Sequence, residues 1–302
     1  MTFFPDARPL IRAAYAGGSA LPAFNVCSLE MALGCVQAAE TAQRPVLLQT
    51  YPADIEQASP QVFAQMVRAL ADEVSVPVAL HLDHGRDLRQ VIACLRAGYS
   101  SVMFDGQGLP FAQTLQMTAR LAEVAHASGA ALEVSAESFG VPGATGNPAE
   151  STDPAQAAQL HAAGADLVAC AVGSEHAASS RLDLSLLARI AAQVQGPLVL
   201  HGGSGIHPDD LRRALPYGVV KVNVGSALYR AVRQGWSACA ALPNPIQSNP
   251  VQSSAIQTSH RAGYAHLRAA VREVAGAYFQ RLTPAATDPL SVPPLPTPEV
   301  TP

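Results

Sequence analysis

Eight short runs of strand-forming residues recur along the chain, each followed by a stretch with helical spacing. They are LPAFNV (21–26), PVLLQT (45–50), PVALHLD (77–83), SVMFDG (101–106), ALEVSA (131–136), DLVACAV (166–172), PLVLHG (197–202) and VVKVNV (219–224). The intervening segments, such as LEMALGCVQAAETAQ, DLRQVIACLRAG and FAQTLQMTARLAEVAHASG, carry apolar residues at helical intervals, and several end in Gly, as helix C-termini do. Apolar strands alternating with helices are buried on both faces and pair in parallel, because each helical crossover returns the chain to the same end of the sheet. Eight such units predict an α/β fold of the closed (β/α)8 TIM-barrel type with a C-terminal helical extension. An open doubly wound sheet is the alternative, but no GxGxxG follows the first run.

The domain reading follows from where this rhythm stops. Residues 1–240 form the barrel, and 241–282 hold a Pro-, Gln- and Ser-rich flexible connector (LPNPIQSNPVQSSAIQTS, 242–259) and a terminal helix (259–282) that packs on the barrel or on a neighbouring subunit. Residues 283–302, with Pro in abundance and little apolar bulk, read as a disordered tail. The chain has 302 residues, 14% of them charged, and a net charge of -4, which leaves no electrostatic footprint for nucleic acid or an acidic membrane. A small-molecule partner is expected instead. Five scattered cysteines without a CxxC pair argue against a disulfide framework. With no signal-peptide pattern and no membrane-length apolar run, the expectation is a soluble cytoplasmic protein.

In a barrel the C-terminal strand ends form one rim, and this is where such folds place their chemistry. The rim is expected to gather Asn25, Thr50 or Tyr51, Asp83 with His84, Asp105, Glu137, His176, His201 and Asn223. Three imidazoles from different strand ends, His84, His176 and His201, match a common catalytic Zn2+ set with an open position, and Glu137 is a fourth or alternative ligand. HGGSG (201–205) and NVGS (223–226) follow the last two strands, where exposed backbone N–H groups suit a phosphate. Lys221, the only lysine in the chain, offers a rival Schiff-base chemistry; otherwise it is a buried lysine paired with a carboxylate such as Asp105.

Taken in order, AFNV, LHLDHG, AGYSSVMFDG, VGSEH, LVLHGGSGI and VVKVNVGSAL resemble the zinc-dependent class II ketose-bisphosphate aldolases, of the fructose- and tagatose-bisphosphate type, across roughly residues 10–280. The resemblance implies Zn2+ on His84, His176 and His201, with Asp83 as the acid/base acting on the C4 hydroxyl. It also implies that Gly202, Ser204, Asn223 and Ser226 hold the dihydroxyacetone-phosphate half, and Asn25 joins that substrate-binding set. Arg261 falls where the family has an arginine reaching a neighbouring subunit's distal phosphate. A homodimer or homotetramer is expected, and a monovalent cation near the phosphate is common in the family. The activity implied is reversible aldol cleavage of a ketose bisphosphate. A non-catalytic metal- and sugar-phosphate-binding paralogue is the rival from another class.

Within HLDHG, strand alternation lets Asp83 face the substrate, while His84 leaves the strand to reach the metal and Gly85 lets the chain turn away. His81 shares the parity of Asp83 one layer deeper and reads as a packed or supporting histidine. The chain also departs from the family pattern. The loop AESFGVPGATGNPAESTDP lacks the family's acidic pair, leaving only Glu150 and Asp153; Ala177 and Arg181 stand where a glycine and a Tyr-Lys segment are usual; and Tyr51 replaces a small hydroxyl residue. These departures suit a divergent member acting on another phosphorylated or even unphosphorylated ketose.

Overall fold

The computed structural model describes residues 2–135, 151–174, 179–240 and 253–284. After α1 (Arg8–Ala16) the chain alternates β1 (Leu21–Asn25), α2 (Leu29–Ala42), β2 (Val46–Thr50), α3 (Pro52–Ala71), β3 (Val78–Gly85), α4 (Leu88–Ala97), β4 (Ser101–Asp105) and α5 (Phe111–Ala127). It continues through β5 (Ala131–Ser135), α6 (Pro154–Ala162), β6 (Leu167–Cys170), α7 (Leu184–Val194), β7 (Leu198–Leu200), α8 (Pro208–Ala214), β8 (Val219–Val224), α9 (Ser226–Ala240) and α10 (Ser253–Arg281). The strands pair in parallel in sequence order, and β8 closes on β1. All eight runs are strands, so the barrel expected from their rhythm is the fold observed.

Strand alternation divides each strand between two environments. Phe24, Leu48, Leu80, Leu82, Val102 and Phe104 face outward and pack under the helices in the main core. The inner residues form a second cluster at the lower end, including Leu21, Ala23, Leu47, Ala79, Met103, Ala169 and Val199. Leu10, Ile11 and Ala14 of α1 belong to this cluster, and the Ala7 N–H donates to the Ser100 carbonyl just ahead of β4, so α1 closes the barrel's N-terminal end. Above this apolar floor, the same inner faces turn polar.

Helix α10 lies against α2 and α9, and its Phe279 and Tyr278 rings meet Phe24 edge-on at 5.9 and 6.4 Å. A Cβ on Gly34 would come within 2.7 Å of Val271, so glycine allows α2 and α10 to approach closely. The terminal helix starts at Ser253, six residues earlier than the sequence suggested, and takes up part of the expected connector. The physical reason is local: beyond Pro250 no proline or glycine interrupts the chain until Gly263, so nothing stops the helix from extending backwards. The rest of the connector and the tail from 285 onward lie outside the described residues. No helix is long and apolar enough to cross a membrane among the described residues.

Candidate active site

The end of β3 explains how two adjacent residues serve one site. His81 and Leu82 pair with Ser101 and Val102, but Gly85 pairs with Phe104, so β3 carries one extra residue against β4. The bulge is accommodated at His84, whose φ of 53° is left-handed, a conformation that costs a non-glycine residue about 1–2 kcal/mol. Asp83 and His84 therefore both reach the rim, with His84 Nε2 at 3.9 Å from Asp83 Oδ1. The sequence reading gave Gly85 the turn; the positive φ belongs instead to His84. Gly85 is needed for space, because a Cβ there would lie 2.3 Å from the Met103 carbonyl oxygen.

Asp83 is 4% exposed and held from both sides. Asn25 Nδ2 donates to its Oδ2 at 2.8 Å and Asn223 Nδ2 to its Oδ1 at 2.9 Å. Each amide is held in turn: Gln49 Nε2 donates to Asn25 Oδ1 at 2.9 Å, and Lys221 Nζ to Asn223 Oδ1 at 2.6 Å. Burial pushes the Asp83 carboxyl up, but His84, His201 and Lys221 outweigh it and hold the group below the usual aspartate value. It is thus a buried, ionised acceptor.

Beside it, the His84 and His201 rings stand perpendicular with centroids 4.7 Å apart. His84 Nδ1 is 2.7 Å from Asp105 Oδ2, and His201 Nε2 is 3.0 Å from Glu133 Oε1. A carboxylate partner fixes the proton on the nitrogen it faces. His84 Nε2 and His201 Nδ1 stand 3.0 Å apart, and His201 Nε2 also lies 3.2 Å from Asn223 Nδ2. Carboxylate-backed imidazoles are a usual metal donor set. These residues therefore fit a bound divalent metal. Donor atoms of Asp83, His84 and His201 all lie within 4.8 Å of one another, and each Asp83 oxygen, having accepted one amide proton, keeps a further lone pair for a proton or a metal. For His84, burial lowers the pKa, but Asp83 and Asp105 outweigh it, so the imidazole titrates above its ordinary value. The expected ligands His176 and Glu137 lie outside the described residues.

Glu133, which the sequence reading did not single out, stands on the inner face of β5 between two site residues. Its Oε2 is 2.9 Å from Lys221 Nζ, while Oε1 faces His201. The carboxylate paired with Lys221 is therefore Glu133 and not Asp105, which holds His84. The signal was present: Glu133 shares parity with Ala131 and Ser135 in ALEVSA, so a charge lay mid-strand on the inward face. A Schiff-base nucleophile needs a neutral amine open to a carbonyl, whereas Lys221 is 0% exposed between Glu133 and Asn223. His81 is fully buried against the Ser101 hydroxyl at 2.9 Å, and burial together with Lys221 keeps its pKa well below normal, as suits a neutral supporting residue.

The loops after β7 and β8 form one corner. Gly203 N–H donates to the Asn223 carbonyl at 2.9 Å, and a Cβ there would meet Val222 at 2.4 Å. Ser204 Oγ accepts the Ala227 N–H at 3.0 Å, which draws Gly202 and Ser204 up to Asn223 and to Ser226 at the start of α9. Of the two β2 candidates, Tyr51 is the rim residue, 40% exposed and edge-on to His84 at 5.7 Å, whereas the Thr50 hydroxyl is buried against Tyr99. Arg181 turns to Asp210 at 2.9 Å, Asp153 caps α6 by accepting from Ala155 and Gln156, and Arg261 is exposed on α10. Glu150 lies outside the described residues.

Residues 6–284 match the family model described as class-II fructose-bisphosphate aldolase. A fructose-bisphosphate aldolase of Streptococcus pyogenes serotype M3 is 35% identical over 234 residues, covering 73% of this chain and 78% of that protein. Among solved structures, the YdjI aldolase of Escherichia coli K12 superposes with a TM-score of 0.76 at 27% identity, covering 92% of this chain and 96% of the other. A putative fructose-1,6-bisphosphate aldolase from Coccidioides immitis gives 0.74 at 26% identity, covering 92% and 97%. With this likeness over nearly its whole length, the chain belongs to the class-II fructose-bisphosphate aldolase family, a family of lyases.

Proposed function

We propose that the protein is a zinc-dependent aldolase that reversibly cleaves a ketose bisphosphate, such as fructose 1,6- or tagatose 1,6-bisphosphate, to dihydroxyacetone phosphate and an aldehyde. The observation that carries this reading is the ionised Asp83, clamped by two amides beside the carboxylate-backed His84 and His201. His84, His201 and His176 would hold the metal, and Zn2+ bound there would supply Lewis-acid polarisation of the ketose oxygens. Each Asp83 oxygen accepts one amide proton and keeps a further lone pair, with which the carboxylate takes the C4 hydroxyl proton in cleavage and returns it in addition. Gly202, Ser204, Asn223 and Ser226, gathered at the start of α9, suit the dihydroxyacetone-phosphate half. Tyr51 at the rim would line the site beside His84.

In this proposal the enzyme works in the cytoplasm, where the free thiols Cys27, Cys35, Cys94 and Cys170 suit a reducing compartment. It works as a homodimer or homotetramer, a state that size-exclusion chromatography with light scattering measures directly. The decisive experiment loads purified protein with Zn2+ and follows triose-phosphate release from both bisphosphates, with and without EDTA. Cleavage that EDTA abolishes and Zn2+ restores is the expected result; no cleavage of either sugar and no aldol addition with dihydroxyacetone phosphate would sink the proposal.

A further inference from the structure

An asparagine side chain carries a donor at one end and an acceptor at the other, and a flip exchanges them. At Asn223 the flip decides the chemistry: with Nδ2 towards Asp83 the carboxylate gains a donor, and with Oδ1 towards it two acceptors would oppose each other. Lys221 removes the choice. Its ammonium has donors only, so the Asn223 oxygen must face Nζ, at 2.6 Å, and Nδ2 is left facing Asp83 Oδ1 at 2.9 Å and His201 Nε2 at 3.2 Å. On the opposite side Asn25 is held by Gln49, itself an amide that can flip, and Gln49 Oε1 has no partner among the described residues. Lys221 is thus the unflippable end of the clamp. Its own place is fixed by Glu133 at 2.9 Å, and none of Lys221, Glu133 and Asn223 is more than 5% exposed.

We propose that Lys221 is a positioning residue, whose ammonium locks the Asn223 amide in the orientation that donates to Asp83 and so aims the carboxylate. The proposal rests on the reading of Asp83 as the acid/base, and it gives the buried lysine a part in an aldolase that uses no Schiff base. Lys221 touches no substrate; it acts through Asn223.

The test uses the full-length, zinc-loaded protein. Lys221→Met is expected to lower kcat for bisphosphate cleavage by about thirtyfold or more, with zinc content unchanged and KM within about threefold. Because this change strands Glu133 as an unpaired buried charge, Lys221→Met combined with Glu133→Gln is the second variant, expected to recover the parental melting temperature but not the parental kcat. In an Asn223→Ala background, Lys221→Met is expected to cost less than about threefold more, since its route to Asp83 is already gone. A crystal structure of the double variant provides a readout independent of turnover: the Asn223 amide is expected to turn or to draw more than about 3.5 Å away from Asp83. Parental kcat in either Lys221 variant, an additive loss in Asn223→Ala, or an unmoved amide overturns the proposal. Asp83→Ala separates the two levels. Parental cleavage by Asp83→Ala overturns both readings, whereas an inactive Asp83→Ala beside a fully active Lys221→Met overturns the Lys221 relay alone.

Discussion

The lower and upper halves of the barrel interior are built from the same strands, a few residues apart, and follow opposite rules. Below, Leu21, Leu47, Ala79, Met103 and Val199 meet α1 in an apolar plug with no polar demand to satisfy. Above, Asn25, Gln49, Asp83, Glu133, His201, Lys221 and Asn223 are just as buried, but each is held by its neighbours' hydrogen bonds. The apolar layer tolerates small changes of shape, since its contacts are non-directional. In the polar layer every group is another's partner, so removing one leaves another buried and unsatisfied. Both layers therefore matter for stability, but only the second fixes the geometry of the site.

The contrast can be broken most sharply at Asp83. Under the proposed function, Asp83→Ala should lower bisphosphate cleavage by about a thousandfold, with zinc content retained, as measured by steady-state kinetics and metal analysis. An equal loss of zinc would make Asp83 a ligand and not the acid/base proposed. Next in size, Glu133→Ala leaves Lys221 as a buried charge without its counter-ion and should cost about 3–5 kcal/mol in denaturant unfolding. In the lower layer, Met103→Ala should cost about 2–4 kcal/mol through the cavity it opens, yet leave kcat near parental.

The smallest effect sharpens the comparison at the rim. Asp105→Asn should weaken zinc binding by about tenfold, because His84 loses the partner that orients it. It should also move the acid limb of zinc uptake by the metal-free protein. Asp105 helps to raise the pKa of the metal-free His84 above 6.5, and metal binding needs the unprotonated imidazole, so zinc uptake weakens as pH drops through that raised value. Without Asp105 the His84 pKa falls, and the limb should shift to lower pH. Asp83, held below 3.8, stays ionised throughout that range and does not set the limb.

Particular residues show why the fold could be read from the sequence more fully than the site. A strand covered by helices outside and by core inside is apolar on both faces, so runs such as PVALHLD announce themselves without any tertiary information. Asn25, Asp83, His84, His201 and Asn223 could be expected to meet because they stand at strand ends, which the barrel brings to one rim. Glu133 escaped because it stands mid-strand, and what gives it meaning, its meeting with Lys221 and His201 across the barrel, depends on closure and on register. The division of labour between His84 and Gly85 was hidden for the same reason: the extra residue exists only relative to β4. The early start of α10 went unread because Ser and Gln suit a connector and a helix alike, and the only signal was the absence of proline and glycine between Pro250 and Gly263.

The burial of Lys221 reaches beyond the active site. As the sole lysine in 302 residues, sealed inside β8, it leaves the folded surface without a lysine ammonium, and every fixed side-chain cation outside the barrel is a guanidinium. A lysine-directed protease or amine-reactive label can reach that side chain only when the barrel opens. The chain thus carries a single built-in reporter of its own unfolding, and the rate of that reaction measures how often β8 comes free.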